Sequence, residues 1–233
     1  MRSLILVLLY AVITCNLQAQ FSASGSFLIG VPQGEFATNV GRNGYGVELT
    51  GAFAPREMPI RLGLNVGILS YGADERREPF STTIPDVTVL VSTTNNIYLI
   101  NGEARLQPNK GLFRPYLTLT LGASVFDTRT TITNTSTGGE VASSSNQGDV
   151  VFNYGAGGGL NVRVWSRGDE EAESSDFRVN SVAIHLGATY LKGGEAEYLK
   201  KGSIRTENGK AVFDVLRSKT DIILYSIGVS ATF

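Results

Sequence analysis

The chain has 233 residues, with 20 basic against 21 acidic side chains and a formal net charge of −1. That balance excludes a nucleic-acid binder working through a basic surface. One cysteine and one histidine leave no disulfide framework and no Cys/His metal site to build.

The first residues read as an address rather than as structure. Met1-Arg2-Ser3 is a short positive start, Leu4 to Ile13 is a ten-residue apolar run, and polar Thr14, Asn16 and Gln18 lead to Ala19. This is the anatomy of a secretory signal peptide over residues 1–19, cut after Ala19. The remainder, 20–233, is 214 residues long, carries 19 basic and 21 acidic side chains, and fits one domain. The run is too short for a transmembrane helix, and no other stretch reaches the roughly 18 apolar residues one needs. Val12-Ile13-Thr14-Cys15 loosely resembles a lipoprotein cleavage site, with Thr where Gly, Ala or Ser is usual. The preferred reading of Cys15 is an incidental residue of the leader, which leaves the mature chain without a thiol.

Eight segments then follow in which apolar and polar residues alternate: Phe21–Val31, Tyr45–Ala54, Ile60–Tyr71, Asn95–Leu106, Pro115–Phe126, Val150–Val164, Val179–Tyr190 and Thr220–Phe233. Strict alternation marks a strand with two unlike faces. In the third, Ile60, Leu62, Leu64, Val66 and Ile68 oppose Arg61, Gly63, Asn65 and Gly67. In the fifth, Leu117, Leu119, Leu121, Ala123 and Val125 oppose Thr118, Thr120, Gly122 and Ser124. In the seventh, Val182, Ile184, Leu186 and Ala188 oppose Ala183, His185, Gly187 and Thr189. Connectors of 13, 5, 23, 8, 23, 14 and 29 residues alternate between long and short.

The predicted fold is all-β: an eight-stranded antiparallel up-and-down transmembrane barrel with short periplasmic turns and long external loops. Segments of 10 to 15 residues exceed the roughly 9 to 11 that a tilted strand needs to cross a bilayer. A soluble calyx or sandwich is the competing architecture, because alternation does not say which face is inside. Loop asymmetry, strand length and polar faces rich in Gly, Ser and Thr favour the membrane. So do the aromatics Phe21, Tyr45, Phe53, Phe152, Trp165, Tyr190 and Phe233 near strand ends, the positions of interfacial girdles, although each singly also fits ordinary packing.

The leader, the eight amphipathic strands and the ending Ser226-x-Gly228-x-x-Ala231-x-Phe233 together resemble the porin-like outer-membrane β-barrel family of Gram-negative envelopes. The ending is similar to the signal with which that family engages the barrel-assembly machinery, with Ala231 where an aromatic or larger apolar residue is common. The run Gly30-Val-Pro32-x-Gly34-x-Phe36, and the stretches from Leu199 to Ile204 and from Arg217 to Asp221, resemble small barrels of the Bacteroidetes-type lineage. The resemblance implies partners in outer-membrane lipid and in the assembly machinery, and no cofactor.

Inside such a barrel Arg61, Glu103, Arg105 and Arg163 face the lumen near the short-turn ends. Arg61 and Glu103, on neighbouring strands, suggest a cross-strand pair. The cluster reads either as an anion-attracting gate or as a polar plug filling an interior that is just wide enough for side chains; the plug is preferred. Glu48 lies nearer the external end. His185, mid-strand in the lumen with no evident serine or acid partner, reads as interior polarity rather than as a catalytic base. The acidic turn Asp169-Glu170-Glu171-Ala172-Glu173 lacks the glycine and ligand spacing of a calcium loop, so neither catalytic nor metal residues are assigned.

The external loops carry the rest. From Thr128 to Asn146, ten of nineteen residues are Ser or Thr, with Gly138-Gly139 suited to reversing the chain. Asn208-Gly209 marks a hairpin. Residues 191–219 hold seven basic and four acidic side chains, a net of +3. That charge would suit a surface ligand bearing phosphates or sugars, and solubility explains it equally. The expected role is non-enzymatic, envelope-structural or surface-binding through these loops. The alternatives are a narrow channel or carrier of small or apolar solutes, and a lipid- or peptide-modifying enzyme.

Overall fold

A computed structural model describes residues 19–55, 58–81, 84–134, 139–167, 178–200, 203–207 and 210–233. Residues 1–18 of the expected leader, with Cys15, the turn Asp169–Glu173, Gly138 and the Asn208-Gly209 pair lie outside the described residues, while Ala19 begins the first strand.

In chain order the elements are β1 (Ala19–Pro32), α1 (Gly34–Val40), β2 (Gly44–Pro55), β3 (Ile60–Ser81), β4 (Ile84–Leu106), β5 (Phe113–Asn134), β6 (Glu140–Ser166), β7 (Ser181–Gly193), β8 (Glu195–Tyr198), β9 (Ile204–Glu207), β10 (Lys210–Phe213), β11 (Leu216–Lys219) and β12 (Ile222–Thr232). Eight of them close a barrel in the order β1-β12-β7-β6-β5-β4-β3-β2, with every neighbouring pair antiparallel. The first and last strands seal the seam from Ser22↔Thr232 to Pro32↔Ile222. Closure leaves no sheet edge within the barrel wall, the condition for strands to stand in hydrocarbon.

The pleat sends the apolar set outward. Leu49 is 69% and Leu117 66% exposed, and Leu62, Leu64, Leu119, Leu121, Ile184, Leu186, Ile227 and Val229 stand on the same outer surface. Arg61, Asn65, Asn101, Glu103, Thr118, Thr120, Asn161 and His185 are buried inside. A polar interior within an apolar wall is the inverse of a soluble calyx, and it makes the protein a transmembrane β-barrel. Aromatics border the apolar band at both ends. Phe21 and Phe233 lie 6.0 Å apart beside the short turns, and Phe27 and Tyr45 lie 6.4 Å apart at the other end.

All eight predicted crossings are present, but two of the long connectors are largely strand. Residues 72–81, 84–94, 127–134 and 140–149, expected as connector, continue as ladder: β3 pairs with β4 up to Ser81↔Ile84, β4 with β5 up to Val89↔Asn134, and β5 with β6 up to Thr133↔Glu140. Above the membrane the outer face meets water instead of lipid, so the alternation that reveals a crossing stops near the bulge at Ser70/Gly72, although Val89 and Val91 remain buried on the inner face. β-branched threonines still favour the extended backbone, and the hydroxyls of Thr93 and Thr130 meet at 3.0 Å across the β4–β5 ladder.

A crown of short elements covers the external mouth. α1 ends at Gly41, whose φ of 66° lets its N–H reach the carbonyl of Ala37 at 2.9 Å. β8 pairs with β11, and β9 with β10 from Ile204↔Phe213 to Glu207↔Lys210, the ladder expected on either side of Asn208-Gly209.

The barrel seam explains one residue of the C-terminal pattern. Gly228 stands opposite Ser26, and a β-carbon there would run into the Gly25 carbonyl. Gly228→Val is therefore expected to stop closure, seen as loss of the heat-modifiable folded band in unheated gels. Gly25→Ala should keep that band, since its β-carbon would meet only a Leu49 methyl at 3.6 Å.

Candidate functional site

The lumen is layered. Nearest the short turns, Arg61, Arg105 and Arg114 share a chamber with Glu103, Gln107, Asn161 and a rim of serines and threonines. Its volume is about 20 Å³, room for a water or a single small ion. A second chamber of about 30 Å³ lies farther in, lined by Glu48, Asn65, Asn101, Tyr116, His185 and Ser226. Leu28, Leu191 and Leu224 also line it, where it meets the apolar core of the external end. Neither chamber admits an organic cofactor.

Glu103 is the hub of the polar part. Its Oε1 lies 3.0 Å from Arg105 Nε, and its Oε2 accepts from Arg105 Nη2 at 3.1 Å and from Asn65 Nδ2 at 3.3 Å. The expected Arg61–Glu103 cross-strand pair is corrected here. The ladder sets Arg61 opposite Arg105 and Gly63 opposite Glu103, so the carboxylate is taken by the arginine two residues along its own strand. Arg163 sits at the same end, where its charge acts on Arg114. Arg114 was not among the expected lumen residues. It lies one position before the predicted start of the fifth strand, and extending the inward phase of Tyr116 and Thr118 by one step would have found it.

His185 has the partners that its sequence surroundings hid. Ser226 Oγ lies 3.0 Å from His185 Nε2, Tyr116 Oη 3.3 Å from the same nitrogen, and the Tyr116 and His185 rings stack at 5.4 Å. Arg105 lies over the Tyr116 ring at 4.3 Å, a cation–π contact. Ser226 and His185 have the spacing of a nucleophile and its base. However, among the described residues Nδ1 of His185 has no hydrogen-bond partner, so none of their carboxylates orients the ring, and a chamber of about 30 Å³ has no room for an acyl substrate. The arrangement works as interior hydrogen bonding. Of the C-terminal pattern, Ser226 thus also belongs to the lumen, while Phe233 packs near Phe21 and donates its N–H to the Phe21 carbonyl at 2.8 Å.

Toward the external end the lumen turns apolar. Leu28, Leu69, Ile97, Leu99, Phe126, Val151, Leu191, Ile222 and Leu224 fill it side to side. Phe36 of α1, fully buried, sits among Tyr198 at 5.2 Å, Tyr71 at 5.9 Å and Phe126 at 5.9 Å, all edge-on. Polar tips tie this stopper to the crown. Tyr71 donates to the Leu199 carbonyl at 3.1 Å, Asn39 donates to Tyr198 Oη at 3.0 Å, Tyr198 meets Ser218 at 2.7 Å, and Glu35 accepts from the Lys219 N–H at 3.2 Å. The expected polar plug is therefore only half of the filling. The sequence signal for the other half was large apolar residues, Phe36, Tyr198 and Leu199, inside stretches otherwise read as external loop.

Outside the wall, Ile60, Leu106, Leu117, Leu119 and Ala156 line a groove of about 510 Å³. It lies on the lipid side and belongs to the hydrocarbon contact. On the crown, Arg217 pairs with Glu195 at 3.1 Å between two exposed side chains, a contact of small energetic weight.

No protein-family model and no curated protein matches the chain. Among solved structures, the chain is similar to Neisserial surface protein A, at 13% identity over 92% of this chain and 97% of that one, with a TM-score of 0.39. It is similar to Ail, the attachment invasion locus protein of Yersinia pestis, at 11% identity, 92% and 97% coverage and a TM-score of 0.36. It is also similar to the translocator domain of the autotransporter NalP from Neisseria meningitidis, at 9% identity, 100% and 94% coverage and a TM-score of 0.33. Likenesses this distant bear on neither activity nor ligand, and the barrel stands on its own strand pairing.

Proposed function

We propose that the protein is a non-enzymatic outer-membrane barrel of the porin-like kind, inserted through its C-terminal strand, whose task is carried by the crown and the projecting strands rather than by the lumen. The observation that supports this most is the apolar layer around Phe36, Leu69, Leu99 and Leu224. A packed, mainly apolar layer solvates ions poorly, and a solute would have to displace residues anchored at several points. β3 to β6 meanwhile hold β-structure beyond the apolar band and present Ser- and Thr-rich surface. A barrel anchoring such a surface suits an envelope-stabilising or surface-binding role, with a ligand met at the external loops.

The channel reading makes the opposite prediction. Purified, folded protein in a planar bilayer is expected to be silent, with folding verified by heat-modifiable migration. Reproducible single-channel steps would remove the basis of this proposal and restore the lumen as the functional part.

A further inference from the structure

The second chamber, farther in than the arginine layer, is lined by oxygens that lack a donor. Asn65, Asn101, Thr118 and Thr120 line it and are between 3% and 8% exposed. Among the described residues, Oδ1 of each asparagine and Oγ1 of each threonine has no hydrogen-bond partner. The Asn65 amide is oriented by its Nδ2, which donates to Glu103 at 3.3 Å, so its carbonyl end is the free one. Strand register brings these oxygens onto one inner face, with Asn65 opposite Asn101 and Thr120 opposite Glu103. Gly67 and Gly122, across from Glu48 and Asn101, leave that face open. The charged groups lining the chamber are Glu48, Glu103 and Arg105. Arg105 is committed to Glu103, and Glu48 has the neutral Asn65 and Thr50 as its hydrogen-bond partners. A carboxylate without a counter-charge, beside buried carbonyls without a donor, is costly. One small cation answers both deficits.

We propose that this chamber is a binding site for one monovalent alkali cation of sodium's size, held by the Glu48 carboxylate and the Asn65 and Asn101 carbonyls, with the Thr118 and Thr120 hydroxyls as further ligands. Three features select this ion. The free carbonyls, hydroxyls and carboxylate are oxygen donors, the ligands of hard cations. Glu48 leaves about one uncompensated charge, which a monovalent ion cancels and a divalent ion exceeds. A volume of about 30 Å³ holds about one or two water-sized particles, room for a bare ion or an ion with one water and too little for an organic ammonium group. The arginines of the neighbouring chamber repel a cation arriving through the short-turn mouth, so the ion is taken up during folding, before the barrel closes. Once bound, it ties β2, β3, β4 and β5 together across the lumen beneath the apolar layer. The site is independent of whatever the crown binds.

The test is to fold the full-length protein from urea into detergent in mixtures of sodium chloride and choline chloride at constant total salt, and to follow the thermal unfolding midpoint. Choline is too large for the chamber, and a mildly alkaline buffer keeps protons from competing for Glu48. The expected result is a midpoint that rises saturably as sodium replaces choline. Glu48→Gln should raise the sodium concentration at half-effect by about tenfold or more, the weight of a charged partner. Glu195→Gln, on the exposed crown, should leave the response intact. A midpoint indifferent to the exchange would mean that the chamber holds water only and would overturn the site, as would an undiminished response in Glu48→Gln. Should that variant not fold, Thr120→Val, which keeps the shape and removes one oxygen, carries the same comparison.

Discussion

Glu103→Ala is expected to destabilise the barrel by about 3–5 kcal/mol, the usual cost of removing one partner of a buried ion pair. Glu103 is 6% exposed and receives Arg105 through two nitrogens as well as the Asn65 amide. Without it, Arg61, Arg105 and Arg114 line one chamber with no acid between them. Glu103→Gln should lose nearly as much, since it keeps the shape and one acceptor but not the charge. The double variant Glu103→Gln, Arg105→Met should recover a large part, because it removes the pair together. Urea titration of protein folded into liposomes, read by tryptophan fluorescence or gel migration, measures all three. A single-variant loss below about 1 kcal/mol, the range of exposed pairs, would mean that water reaches this carboxylate and that the hub is not a hub.

Phe36→Ala should cost about 3–5 kcal/mol by the transfer and cavity terms of a buried aromatic. Its ring is fully buried and meets three others at 5.2 to 5.9 Å, and edge-on pairs add to the area term. The damage should concentrate at the external end. The segment Gly34–Val40 and the β8–β11 hairpin share the Phe36–Tyr198 contact, so protease added outside should cut the crown faster while the barrel wall stays protected. Conductance should remain absent, since Leu28, Leu69, Leu99 and Leu191 still fill the lumen beneath. Tyr198→Phe, which loses only the hydroxyl to Ser218 and Asn39, should cost about 1 kcal/mol. If Phe36→Ala costs no more than that, the ring is a lid resting on the core rather than part of it.

These expectations separate the possible roles of the lumen more sharply than its polarity does. A row of arginines invites a gate, and a histidine beside a serine invites a hydrolase. The layered filling supports neither, because the charges lie below a mainly apolar ceiling and the Ser226–His185 pair faces a space of about 30 Å³.

The sequence alone determined the eight crossings and their faces, since in a membrane a strand must put apolar residues on every second position, and that period is local. Together with loop asymmetry and strand length it led to the expectation that Arg61, Glu48, Glu103, Arg105, Arg163 and His185 face the lumen. Tertiary structure decided who meets whom, because register belongs to pairs of strands: Arg105 rather than Glu103 stands opposite Arg61, and Ser226, 41 residues from His185, became its partner. It also decided what happens beyond the bilayer. There water replaces lipid on the outer face, the alternation loses its cause, and only strand pairing distinguishes the ladders of β3 to β6 from loop. The stopper around Phe36 depends on a seven-residue helix too short to be stable by itself, which is held by the rings around Phe36 and by the Glu35 and Asn39 hydrogen bonds to the crown.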